Sequence, residues 1–132
     1  MKIYIASSWK NQHAVEMLTT ILRDKGHEVA SFVENNHFNG QFGEEFDEWI
    51  ASENAARCFR FDTDSAMHSD LVIYISPSGQ DAAAECGMAY ARGVPVLGLF
   101  AKGESLGLMR RMMDYWYNDY RKLIKAIEVV KS

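Results

Sequence analysis

Five consecutive apolar residues, Leu71-Val72-Ile73-Tyr74-Ile75, set the tightest limit on the architecture of this 132-residue chain. A strand with one wet face alternates apolar and polar residues. A run without alternation suits a strand covered on both faces, as in a parallel sheet between two layers of helices. Pro77-Ser78-Gly79 breaks the run, a helical stretch from Gln80 to Arg92 follows, and Gly93 closes it before a second apolar run from Pro95 to Phe100. Strand, helix and strand in that order make a βαβ unit.

The N-terminal part repeats the pattern. Lys2 to Ala6 is β-branched and aromatic, Ser7 and Ser8 end it, and Val15, Leu18, Ile21 and Leu22 fall on one helical face. Gly26 stands where a left-handed cap ends a helix, and His27 to Val33 reads as the next strand. Asn35 to Gly43 is dense in turn formers and predicts a surface loop or flap, with helix resuming near Glu44 and running irregularly to His68. Beyond Phe100 the pattern predicts a short helix from Leu106 to Met113, a strand from Tyr115 to Tyr117 and an amphipathic helix from Asp119 to Val130. The expected architecture is α/β, a flavodoxin-like three-layer sandwich with a parallel sheet of about five strands, in one domain spanning residues 1–132.

Charge and cysteine usage narrow the function. The net charge of −4 is spread without blocks of one sign, so there is no basic footprint for nucleic acid or an anionic membrane, and small molecules become the expected partners. Cys58 and Cys86 lack metal-ligand spacing, as do His13, His27, His37 and His68, so no metal is expected. Cys86, with no histidine at an evident spacing, reads as a small buried residue rather than a thiol nucleophile. No apolar run approaches the roughly 18 residues of a membrane span, and the N-terminal apolar stretch is too short for a signal peptide, which makes the cytoplasm the expected compartment.

In open parallel sheets ligands bind beyond the carboxyl ends of the strands, at the point where strand order reverses. That rule selects two loops, Ser7-Ser8-Trp9 after the first strand and Ser76 to Asp81 after the third. Ser7 and Ser8 suit an anion such as a phosphate at a helix start, although Ser8 or Asn11 serves equally as a plain N-cap. Trp9 suits a ring of a ligand, or simple packing, and Phe46 and Trp49 pose the same choice. Ser78 and Asp81 have the spacing of a capping-box-like pair. Glu85 lies four residues after Asp81 on the same helical face, among Ala82, Ala83, Ala84, Cys86, Gly87 and Ala89, where it is either a functional carboxylate or a surface acid placed by the helix dipole.

Taken together, KIYIASSWKN at the start and SDLVIYISPSGQDAAAECGMAYARGVPVLGLF later resemble the nucleoside 2-deoxyribosyltransferase-like superfamily of N-glycosidic-bond enzymes, most clearly over residues 1–9 and 70–100. In that family a glutamate in a Glu-x-Gly-x-Ala context is the catalytic nucleophile, and Glu85-Cys86-Gly87-Met88-Ala89 matches it. The family's acid six residues earlier is replaced here by Gly79, and Asp81 stands four before the glutamate as the candidate proton-handling partner. The family's further acid, at the start of the helix leading into the third strand, falls on Asp62 or Asp64, whereas Asp70 reads as structural.

The resemblance implies that Glu85 attacks C1′ of a nucleoside or nucleoside 5′-monophosphate by the logic of a retaining glycosidase, Asp81 assisting. Ser7, Ser8, Trp9, Asp62, Asp64, Ser76, Ser78 and Gly79 would hold the substrate. A nucleophile must be ionised, and the helix start with Ser78 is expected to favour that form. No cofactor is implied. Two other functions fit the same pocket: a TIR-like NAD glycohydrolase, and a nucleotide-binding sensor without turnover. The resemblance also implies a homodimer or higher homo-oligomer, with Leu106 to Tyr120 as the candidate surface.

Overall fold

A computed structural model describes residues 1–35 and 43–131. The loop from Asn35 to Gly43 expected as a flap lies almost wholly outside these residues. Five strands, β1 (Lys2–Ala6), β2 (Glu28–Ser31), β3 (Leu71–Ile75), β4 (Val96–Leu99) and β5 (Tyr115–Tyr117), form one sheet in the order β2-β1-β3-β4-β5. Every pairing is parallel, with Tyr4 opposite both Ala30 and Val72. The chain steps outward from β1 to β2 and then returns to the other side of β1, so the loops leaving β1 and β3 diverge and open a crevice.

Side-chain alternation divides the core between the two sheet faces. Ile3, Ile5, Leu71, Ile73 and Ile75 meet Val15, Leu18 and Leu22 of α1 (Gln12–Asp24) and Leu123 and Ile127 of α5 (Tyr120–Lys131). On the other face Tyr4, Ala6, Val72 and Val96 meet Ala66 of α3 (Glu53–His68) and Ala82, Cys86 and Ala89 of α4 (Gln80–Ala91). The small residues of α4 let this helix sit close to the sheet, which brings its side chains within reach of Tyr4 on β1.

Three elements differ from the sequence-based expectation. The segment expected as one irregular helix from Glu44 to His68 is two, α2 (Glu44–Ile50) and α3, because Ser52 Oγ donates to Trp49 O (2.6 Å) and accepts from Ala55 N (3.2 Å), ending one helix and capping the next. The second strand stops at Ser31, where a 3₁₀ turn, Phe32–Glu34, buries Phe32 against Trp9. Between β4 and β5 the helical segment is a 3₁₀ turn, Leu108–Met112, shorter than expected. Gly26 and Gly93 both hold positive φ, 94° and 77°, where α1 and α4 end.

Candidate active site

The loops after β1 and β3 are tied together by side chains. Ser7 Oγ donates to Ile75 O (2.7 Å) and accepts from Asn11 Nδ2 (3.0 Å), which also donates to Pro77 O (2.7 Å). Asn11 stands at the N-cap position of α1 but makes no side-chain cap bond, so its amide serves the junction between loops instead. Ser8 Oγ accepts from Lys10 N (3.2 Å) and caps the 3₁₀ turn Trp9–Asn11. Asn11→Ala is expected to cost about 1–2 kcal/mol by removing both amide bonds. Urea denaturation checks this, and an unchanged midpoint would refute the tie.

Beyond these loops lies a cavity of about 610 Å³. Ser7, Ser8, Trp9 and Lys10 line it from the loop after β1, Gly79 to Ala82 and Glu85 from the start of α4, and Phe32, Asn35, Phe46, Trp49, Cys58 and Asp62 also contribute. Trp9 stands edge-on to Phe32, ring centroids 5.1 Å apart, and Phe46 and Trp49 lie 6.2 Å apart.

The carboxylates converge on one tyrosine. Tyr4, fully buried in β1, donates its hydroxyl to Glu85 Oε2 (2.9 Å). Asp62 interacts with the same hydroxyl and accepts from Asn35 Nδ2 (2.8 Å). Glu85 is only 7% exposed, and burial, then the neighbouring Asp62 charge and that of Asp81, push its carboxyl up to about 8 against the opposing Tyr4 hydrogen bond. Burial likewise raises Asp62 to about 6, with Tyr4 and Asn35 opposing. The Tyr4 hydroxyl is pushed far above its usual range, chiefly by burial, and stays protonated. Around neutrality Glu85 and Asp62 together hold about one proton, a property of the pair rather than of either residue.

This electrostatic picture corrects two expectations. The surroundings do not favour ionised Glu85, because the residue sits in the second turn of α4, past the reach of the dipole at its start, and desolvation dominates. Ser78 and Asp81 are not a capping pair either. The N-cap is Gly79, with no side-chain cap bond, and Ser78 Oγ donates to Tyr74 Oη.

Other residues selected from sequence lie elsewhere. Ser78 lines a separate cavity beside Tyr74 and Phe100, and Ser76 Oγ is bonded to Leu99 O (3.2 Å) and Glu104 Oε2 (2.5 Å). Asp64 is exposed and lines a cavity of about 620 Å³ at the opposite end of the strands, with Lys2, His27 and Ser69. Two residues along a helix turn a side chain through about 200°, so Asp62 and Asp64 cannot share one site. Burial and Glu85 raise the Cys86 thiol to about 12, which suits a core residue.

Sequence reasoning missed Tyr4 and Asn35. A polar-tipped aromatic inside an otherwise aliphatic strand was the available signal for Tyr4. Asn35 stood among so many turn formers that nothing distinguished it.

No family model and no curated protein matches the chain by sequence. Among solved structures, a 2-deoxyribosyltransferase from Bacillus psychrosaccharolyticus is similar over 93% of this chain and 90% of its own, with TM-score 0.74 and 26% identity. That likeness supports the resemblance of the chain to the nucleoside 2-deoxyribosyltransferase-like superfamily. Two further structures share the fold at lower identity. A CMP N-glycosidase, BcmB, from Clostridium botulinum has TM-score 0.63 and 18% identity over 97% of this chain and 99% of its own. A conserved protein from Enterococcus faecalis has TM-score 0.70 and 19% identity over 97% of each chain. The chain therefore shares its architecture with proteins named for deoxyribosyl transfer and for N-glycosidic cleavage. Among its described residues, no helix is long and apolar enough to cross a membrane.

Proposed function

We propose that this protein cleaves the N-glycosidic bond of a nucleoside or nucleotide, passing the sugar to water or to a second base, with Glu85 as nucleophile. The observation that carries this reading is a buried glutamate hydrogen-bonded to Tyr4 in the wall of a cavity beyond the strand ends. A carboxylate oxygen of Glu85 bonds to C1′ as the C1′–N bond breaks, its electron pair leaving with the base. Water or another base then attacks C1′, its proton passing to Asp62, and the pair of the ester bond returns to Glu85.

The proton that Glu85 shares with Asp62 must leave Glu85 before the attack. Tyr4 accepts from the protonated glutamate while donating to Asp62, so one proton passes between the carboxyls without ionising the phenol. Protonated Asp62 then has a proton to give to the departing base. Turnover requires one proton in the pair, so kcat/KM is expected to be bell-shaped, falling below about 6 and above about 8. A profile flat across that range would contradict the assignment.

Incubation with nucleosides, 5′-monophosphates and NAD, followed by chromatography for released base, tests the function directly. Base from nucleosides or monophosphates supports the reading; base from NAD alone, or binding without release, refutes it. We propose further that the protein forms a homo-oligomer through the 3₁₀ turn Leu108–Met112 and β5, where Leu108 (74%), Met109 (64%) and Tyr115 (56%) are exposed and Arg110 stacks on Trp116 at 3.9 Å. Light scattering showing only monomer at micromolar concentration would count against it.

A further inference from the structure

The N-glycosidic reading, on which this inference rests, gives Asp62 a charge to carry: it hands a proton to the departing base and stays a carboxylate until the incoming water or base returns one. The surroundings oppose that charge. Burial disfavours it, and the titratable groups that face it are Tyr4 of β1 and Glu85 and Asp81 of α4, none of them a cation. Lys10 lines the same cavity from the loop after β1 and is not paired with Asp62.

Two side chains donate to Asp62. Tyr4 has a single hydroxyl proton and points it at Glu85 Oε2 (2.9 Å), so it serves one carboxylate at a time. Asn35 Nδ2 donates to Asp62 Oδ1 (2.8 Å) and is the donor that Asp62 does not share with Glu85. The turn before Asn35 holds this amide in place. Asn35 N donates to Phe32 O (2.9 Å) and closes the 3₁₀ turn Phe32–Glu34, whose Phe32 is buried against Trp9 and whose Glu34 pairs with Arg23 of α1 at 2.9 Å. The end of β2 thus presents a fixed amide to a helix residue 27 positions further on. In a neutral carboxyl the carbonyl oxygen is the better acceptor, so with Oδ1 taken by the amide the proton rides on Oδ2.

We propose that Asn35 is a positioning residue for the reaction: its amide fixes Asp62, keeps the proton on Oδ2 and steadies the carboxylate left when that proton goes to the base. A brace between β2 and α3 alone would affect stability or KM and leave the pH profile unchanged. The amide favours ionised Asp62, so without it the fully protonated Asp62–Glu85 pair keeps its first proton to higher pH. The second proton leaves Glu85 when Asp62 is already ionised and is unaffected. Asn35→Ala is therefore expected to lower kcat about tenfold with KM within about twofold, and to move the acid limb of kcat/KM up by about one pH unit while the alkaline limb stays. Asn35→Asp, which keeps the volume and loses the donor, should move that limb at least as far. In an Asp62→Ala background, Asn35→Ala should cost less than about twofold.

Carbon-13 NMR titration of the Asp62 carboxyl follows the same proton without turnover. A titration step unmoved in both Asn35 variants, a loss confined to KM, or a full tenfold loss in the Asp62→Ala background overturns the proposal. Base release by the unaltered protein separates this from the broader reading. Release with an unmoved step leaves N-glycosidic chemistry standing without this role for Asn35, whereas a shifted step in a protein that releases no base upholds the hold on Asp62 and removes the chemistry.

Discussion

Glu85→Gln is expected to lose turnover by roughly 10³-fold or more and yet to melt at a higher temperature than the unaltered protein at pH 8. The amide keeps the carboxyl's shape and can still accept from Tyr4, but it cannot bond to C1′ and leave again as a carboxylate. The stability gain follows from linkage. The carboxyl moves from an ordinary 4.5 to about 8 on folding. Below about 4.5 both folded and unfolded chains are protonated and the site costs nothing. Between 4.5 and 8 the unfolded chain ionises first, so stability falls as pH rises, and above 8 the full penalty is present. At about 1.36 kcal/mol per pH unit, and with much of the shift shared with Asp62, the penalty is on the order of a few kcal/mol, or several degrees of melting temperature. Thermal melts of both proteins from pH 5 to 9 should diverge with rising pH. A gap independent of pH would show that burial does not load this carboxyl with strain.

Tyr4→Phe should lower kcat by about 10²-fold while changing KM little, because the phenyl ring refills the same volume but can neither orient Glu85 nor pass its proton. The pH profile distinguishes this positioning role from a structural one. The Tyr4 hydrogen bond opposes the upward shift of Glu85, so removing it should move the alkaline limb of kcat/KM to higher pH. A variant whose activity falls with both limbs unmoved would indicate that the hydroxyl serves packing alone.

The path from Tyr4 to Glu85 also explains which parts of the site were legible. Glu85 itself could be found because it is a lone acid among alanines, glycine and cysteine, a local pattern. Its proton state could not, because that depends on Tyr4 and Asp62, 81 and 23 positions away along the chain. Asp62 and Asp64 were indistinguishable by sequence. Helical phase relative to a sheet decides between them, and the phase follows from which face of α3 packs on the core.

The serines show the same division. A hydroxyl in a turn after a strand reads as a ligand contact whether it faces the crevice, like Ser8, or turns away toward Tyr74, like Ser78. The role of Asn11 in joining two loops depends on Pro77 O, 66 positions away.

What the sequence determined unaided was the parallel sheet, its strands and the two loops at its switch point, because hydrophobic periodicity and turn residues act over a few neighbouring positions and leave a local trace. Only the tertiary structure decided that Glu85 is buried, its carboxyl pushed up to about 8, with Asp62 and not Asp64 beside it. Burial, dielectric and hydrogen-bond partners are set by residues remote in the chain, and a carboxyl's charge answers to those surroundings rather than to its neighbours in sequence.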